Sequence, residues 1–351
     1  MPRIRNFAVL LLSLIMVACG TPAATDSPSN SATTGAASTA PAASAAAGGK
    51  TYRVGIVQQT THPALDAARK GIVDALNESG LSIELTEKNP QNDPATLATI
   101  TDGFRDEKLD LVFTVGTLPA QAGFKSLSGS GIPMIFNTIV DPYAAGVAKS
   151  ETDHPGVTGI QALPPVTEAF DLMLKMQPET KKIGNIWTSS EKNSEVVTGI
   201  AREYAKTKGI EFIERNVTKA DEVLQAAESL AAEKVDTFLI LTDSTVVSAL
   251  ESVVKVANDN DIGLYCGDPA SAGRGCVAGL GLDYYDNGYI SAKEQGIPIL
   301  QGAKPEDLPI RKQEKKVIAI NTAAATEQSV TISDEVAKMA TQTIDKITPK
   351  Q

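Results

Sequence analysis

Apolar residues in this chain fall into two alternating patterns, short unbroken runs and longer stretches with helical spacing. The run at 52–57 is followed by 63–79, where Ala64, Leu65, Ala68, Ile72, Ala75 and Leu76 recur at three- and four-residue steps. That order predicts a strand and then a helix. A strand over 81–86 comes next. The helix predicted for 94–107 has Asp93 as its cap and Pro94 in its first turn, where the N–H that proline lacks would have no partner anyway. Residues 109–115 are apolar with almost no alternation, which marks a strand covered on both faces. Residues 116–119 turn into a helix that runs through Phe124, and strands over 132–136 and 157–160 follow.

Leu163-Pro164-Pro165 interrupts this series, and a second one begins. Helices are predicted over 166–176, 191–208, 220–233 and 244–260, with strands over 182–187, 211–214, 235–241, 262–265 and 277–282. Regular alternation of strand and helix implies parallel sheets with helices on both faces. Two sets of roughly 110 residues imply two lobes of ordinary domain size. The endings Gly116-Thr117 and Thr242-Asp243-Ser244 hold the same place in each set, so the duplication is architectural, without a sequence repeat. The expected fold class is therefore α/β, with two Rossmann-like lobes built on parallel sheets.

The start of the chain adds a destination. Arg3 and Arg5 precede an apolar run at 7–17, and small residues lead into Cys19. A helix needs roughly 20 apolar residues to cross a bilayer, so this run fits the core of a secretory signal peptide instead. Met16-Val17-Ala18-Cys19-Gly20 is similar to a bacterial lipobox, with methionine where leucine is usual. The expectation is a signal peptide at 1–18 and a lipid on Cys19, the alternative being an ordinary cut after Ala18 or later. Residues 21–49 are Ala, Ser, Thr, Pro and Gly apart from Asn30 and one charge, Asp26. Such a stretch has little to bury and suits a flexible tether over 19–50.

A formal net charge of −10 argues against a nucleic-acid partner, which needs concentrated positive charge. Cys266 and Cys276 suit a loop-closing disulfide in an oxidising compartment, worth roughly 2–3 kcal/mol in the chain-entropy model. Two buried free thiols are the alternative. His62 and His154 lie far from them, so no metal-ligand spacing is present.

Ligands of open parallel sheets sit beyond the carboxyl ends of the strands, near helix N-termini. That rule selects the turns at 58–61, 116–117, 137–141, 188–194, 242–245 and 267–268. Candidate ligand-binding residues on and beside them are Gln58, Gln59, Thr117, Gln121, Asn137, Asp141, Ser189, Ser190, Asn193, Ser194, Asp243, Ser244 and Asp268, with Tyr284 beyond the last strand. Exposed N–H groups at 116–118 and 188–190 would seat an anion. Thr117, Ser189, Ser190 and Asp243 equally suit helix caps, and Asp141 and Asp268, each before a proline, suit turns. His62 has no positioned partner in the sequence, and Trp187, Tyr284 and Tyr285 are candidate cleft walls. The turns carry no nucleophile–base pair and no metal set, so binding without a cofactor is expected, and catalysis is not.

Several stretches carry a family resemblance. They are Val54-Gly55-Ile56-Val57-Gln58, His62-Pro63-Ala64-Leu65-Asp66-Ala67-Ala68-Arg69-Lys70-Gly71 and Pro119-Ala120-Gln121-Ala122. Asp141-Pro142 with Ala145-Gly146, Thr242-Asp243-Ser244-Thr245-Val246-Val247-Ser248-Ala249-Leu250, Gly281-Leu282-Asp283-Tyr284-Tyr285 and Gly288-Tyr289 continue the series. Together they resemble the ABC transporter substrate-binding family associated with tryptophan and tyrosine uptake, over residues 52–300.

The resemblance implies a type I periplasmic-binding fold, with crossover strands at a hinge and a small-molecule ligand enclosed between two lobes. It implies a monomeric lipoprotein outside the cell membrane that delivers its ligand to an ABC permease. Lobe 1 is expected at 51–162 and 284–302, and lobe 2 at 163–283 and 303–351. For an amino acid, the carboxylate is expected near Thr117 and Ser189-Ser190, the ammonium at Asp243 and the side chain at Tyr284. A sugar or small peptide would use the same kinds of group, and a ligand sensor without transport would share the fold. Gly296 and Pro298 depart from the pattern and predict a broken or kinked helix after Tyr289, since an internal proline costs about 3 kcal/mol or more. The cysteine pair is a second departure.

Overall fold

The computed structural model describes residues 50–349; the expected signal peptide, Cys19 and the tether before Lys50 lie outside the described residues. The first series forms β1 (Tyr52–Gln58), α1 (Pro63–Glu78), β2 (Ile83–Lys88), α2 (Pro94–Asp106), β3 (Leu111–Val115), α3 (Thr117–Leu127), β4 (Met134–Ile139) and β5 (Val157–Gln161). The second forms α4 (Val166–Met176), β6 (Lys182–Thr188), α5 (Lys192–Lys208), β7 (Glu211–Val217), α6 (Val223–Ala232) and β8 (Thr237–Ile240). It continues with α7 (Ser244–Ser248), α8 (Leu250–Asp259), β9 (Gly263–Cys266) and β10 (Ala278–Leu282). Then come α9 (Tyr284–Ser291), a π turn at Ala292–Gly296, α10 (Ile297–Leu300) and β11 (Arg311–Lys312). The chain closes with β12 (Lys316–Asn321), α11 (Thr322–Glu327), α12 (Asp334–Met339) and β13 (Gln342–Ile344).

Two sheets result, ordered β2-β1-β3-β4-β5-β11 and β7-β6-β8-β9-β10-β12-β13. Shifting the strand numbers by five turns β2-β1-β3-β4-β5 into β7-β6-β8-β9-β10, which is the expected duplication. All pairings are parallel except β10 with β12. Each sheet is covered on both faces. In lobe 1, Val54, Ile56 and Ile135 pack under α1 and α9, while Val57, Val112, Met134 and Phe136 pack under α2 and α3. In lobe 2, Phe170, Met173, Val197 and Leu239 fill one face, and Phe238, Ile240, Val253 and Leu264 the other.

Three crossings join the lobes: after β5, between β10 and α9, and between β11 and β12. They pair with one another, Gln313 N donating to Gln161 O and Asp283 N to Lys315 O, both at 2.9 Å. The boundary expected at residue 303 lies too early. β11 pairs with β5 of the first sheet, so lobe 1 runs on through Lys312. Near Pro298, where a broken or kinked helix is expected, the helix continues but leaves α geometry. α9 passes through a π turn at Ala292–Gly296 into α10, and Pro298 follows directly on that turn. The helix expected over 244–260 divides instead at Ala249, whose backbone (φ −113°, ψ 26°) is not helical.

Candidate functional site

Residues at the C-terminal ends of strands from both sheets converge on one narrow cleft. Lobe 1 contributes Gln59, His62, Gly116, Thr117 and Thr138, and lobe 2 contributes Asn193, Thr242, Asp243, Ser244 and Asp268. Ala64, Leu65, Val140, Ala162 and Tyr284 supply the apolar wall. The cleft is narrow, with about 50 Å³ of free space among these side chains. A larger hollow of about 460 Å³ lies at the opposite, N-terminal ends of β4 and β5, lined by Phe124, Leu127, Ile132, Met134 and Ile299. Asp110, Ser128, Lys304 and Glu306 also line it, and none of the buried unpartnered polar side-chain atoms among the described residues borders it.

The lobe 1 wall carries no charge and one free N–H donor, that of Gln59. α3 follows Gly116, whose φ of +112° suits glycine and which has no side chain of its own to cap the helix. A side chain at 116 would strike Gln59. Gln59 is buried; its Oε1 accepts from Leu118 N at 3.3 Å, while its Nε2 has no partner. Gln59 thus holds the Leu118 N–H at the start of α3, Pro119 has none to offer, and the free Gln59 Nε2–H beside them is suited to hold an oxygen anion. His62 caps α1, its Nδ1 accepting from Ala64 N at 3.0 Å. Thr138 adopts φ +57°, a costly conformation for a β-branched residue, in a register shift between Phe136 and Ile139 that brings it to the cleft.

The lobe 2 wall is acidic. Asp243 caps α7 through Val246 N at 2.8 Å and also accepts from Thr188 N and Ser194 Oγ, both at 2.6 Å. Burial and the neighbouring Glu191 charge push its carboxyl up to about 7, although these hydrogen bonds pull the other way. Glu191 is buried and reaches across to the start of α7, accepting from Ser244 N (3.0 Å), Thr245 N (2.9 Å) and Thr245 Oγ1 (2.8 Å). The chain's own carboxylate therefore fills this helix N-terminus. Asp268 is held by Ser271 N and Oγ, and burial with the nearby Asp268 charge raises the Tyr284 phenol well above its usual range. Thr242 Oγ1, on the cleft wall, is buried without a partner.

Of the residues expected from the sequence, Gln59, Thr117, Asn193, Asp243, Ser244, Asp268 and Tyr284 border the cleft. Ser194 stands behind it and orients Asp243. Four others are engaged in the scaffold. Gln58 bonds Thr60 O, Asp66 and Arg69; Gln121 bonds Ala145 O; Asn137 bonds Ser291; and Asp141 receives Tyr143 N and Ala144 N in a turn. Ser189 and Ser190 are exposed and outside the cleft lining, Ser189 pairing with Asn216, so the second carboxylate seat expected there is not on the cleft wall. Trp187 is also outside it, and Tyr285 bonds Asp74 on α1. His62, Gly116, Thr138 and Thr242 are cleft residues that the list of candidates lacked; all four lay in or beside the selected turns.

Cys266 and Cys276 form a disulfide. Among the described residues, no group of three or more His, Cys, Asp and Glu side chains is placed to hold a metal ion, and no helix is long and apolar enough to cross a membrane.

Residues 53–344 match the family model described as ABC transporter substrate binding protein. The tyrosine-binding protein of Clostridioides difficile (strain R20291) is 34% identical over 278 residues, covering 78% of this chain and 79% of that protein. A crystal structure of an ABC domain from Streptococcus pneumonia in complex with L-Trp superposes with a TM-score of 0.79 at 27% identity, over 84% of this chain and all of that one. The ligand-free, open structure of a substrate-binding protein with adhesive properties from Clostridium difficile gives 0.65 at 30% identity, over 85% of this chain and all of that one.

Proposed function

Because the chain belongs to the ABC transporter substrate-binding protein family and has its type I periplasmic-binding fold, we propose that it is the lipid-anchored, extracytoplasmic receptor of an amino-acid importer. It closes its lobes on one aromatic α-amino acid and delivers it to a membrane permease. The family consists of solute-binding proteins, and the relatives named above for tyrosine and L-Trp support an aromatic ligand.

One observation carries the reading: the two walls of the cleft have opposite polarity. Lobe 1 offers the unpaired Gln59 Nε2 beside the start of α3, while lobe 2 offers Asp243 and Asp268. A zwitterion fits with its carboxylate on lobe 1 and its ammonium on lobe 2. Glu191 already fills the α7 N-terminus, which favours this single orientation. Leu65, Val140 and Tyr284 then face the side chain. At similar identity, the higher TM-score to the L-Trp complex than to the open form supports a hinge that closes on ligand.

Titration calorimetry with the twenty L-amino acids and a set of sugars tests the reading. One-to-one binding is expected for tryptophan or tyrosine, with a negative heat-capacity change from apolar burial. At a hundred times the dissociation constant the ligand adds about 2.7 kcal/mol of stability, visible in a thermal shift. Sugar binding with no amino acid bound would sink the proposal.

A further inference from the structure

The disulfide lies under one particular loop. Cys266 ends β9 and Cys276 precedes β10, both fully buried, and the nine residues between them carry Asp268 into the cleft. Asp268 is itself fixed, its Oδ1 accepting from Ser271 N at 2.9 Å and its Oδ2 from Ser271 Oγ at 2.6 Å. At the far end of the loop, the buried Arg274 guanidinium grips Glu251 of α8 with two bonds, at 2.8 and 2.7 Å. It also donates to Val247 O in α7 at 2.9 Å. The loop rests on Gly279 and Gly281 of β10, where any side chain would strike the backbone of Gly267 and Asp268. Disulfide, guanidinium fork and glycine floor together tie Asp268 to the helix that Asp243 begins.

We propose that the Cys266–Cys276 disulfide is a positioning element for recognition, holding the Asp268 carboxylate beside Asp243 so that both face the ammonium group of the ligand. The inference rests on the amino-acid reading above. A disulfide that only stabilises the fold would leave affinity unchanged in protein that is still folded, or would lower it equally whatever stands at 268. A positioning disulfide acts through Asp268, and its effect vanishes when that carboxylate is gone.

A double-mutant cycle separates the two. Tryptophan affinity is measured by calorimetry, well below the melting temperature, in the wild type, Cys266→Ala/Cys276→Ala, Asp268→Asn and the combined variant. Loss of the disulfide is expected to weaken tryptophan at least tenfold in the Asp268 background and less than twofold in the Asp268→Asn background. Equal losses in both backgrounds, or a lowered melting temperature with unchanged affinity, would overturn the proposal. If the cysteine-free chain does not fold, phosphine reduction of native protein and of Asp268→Asn, with thiols counted, carries the same comparison. A wild type that is folded and binds neither tryptophan nor tyrosine removes the amino-acid reading and this inference with it.

Discussion

Replacing Gly288 with alanine is expected to cost about 3 kcal/mol of folding stability or more, the upper range for overpacking a buried contact. α1 and α9 meet through a glycine on each helix. A side chain on Gly288 would collide with the Ala68 carbonyl, and one on Gly71 with the Tyr285 carbonyl and the Tyr289 N–H. These obstacles are backbone, so no rotamer change relieves them; the helices must part and expose Ala68, Ile72 and their partners. Because α1 starts at His62 and α9 at Tyr284, both on the cleft, the same change is expected to weaken ligand binding. Gly199 in α5 is the control. Nothing lies within 4 Å of a side chain placed there, so Gly199→Ala should stabilise by about 0.5–1 kcal/mol through helix propensity. Urea unfolding of the two variants reads both signs in one experiment, and a neutral Gly288→Ala would contradict the packing described.

Acidification is expected to move stability and affinity in opposite directions. Asp243 stands at about 7 in the folded protein, against 3.8 as the ordinary value. A carboxyl raised by folding contributes stability that is complete below the unfolded value and is lost as pH rises through the folded one. Ligand-free protein should therefore gain stability between pH 8 and pH 5, by on the order of 2–4 kcal/mol. Asp74, Asp93 and Asp102, whose carboxyls the fold holds low, act with the opposite sign only further into acid. An ammonium ligand needs Asp243 ionised, so its affinity should fall about tenfold per pH unit below 7, to roughly a hundredfold at pH 5. Asp243→Asn, which cannot titrate, should flatten both profiles. Affinity that is level from pH 8 to 5 would remove Asp243 from contact with the ligand.

The architecture was legible because its signals are local. The unbroken apolar run ending Leu111–Val115 reads as a strand buried on both faces, and Asp93 with Pro94 reads as a helix start; both form as expected. What escaped was short or depended on pairing. β11 has two residues, Arg311 and Lys312, with no pattern of their own, and only its pairing with β5 assigns it to lobe 1. The cleft divides in the same way. The strand-end rule finds the turns, and so finds Thr117, Asp243 and Asp268, but not which of two neighbours faces the ligand. Gln58 ends β1 and Gln59 is the first residue beyond it; Gln58 is spent on Asp66 and Arg69, and Gln59 reaches the cleft. Glu191 reads as an ordinary first-turn acid, yet it serves a helix start more than fifty residues away. No local pattern carries that contact, and it decides which lobe can take a carboxylate.

A crystal structure with bound tryptophan would test most directly whether a zwitterion lies across two walls of opposite sign. The account predicts the ligand's carboxylate within hydrogen-bonding distance of Gln59 Nε2, at the start of α3, with its ammonium toward Asp243. Tryptophan lying the other way round, or lodged outside the crevice between the lobes, would contradict it.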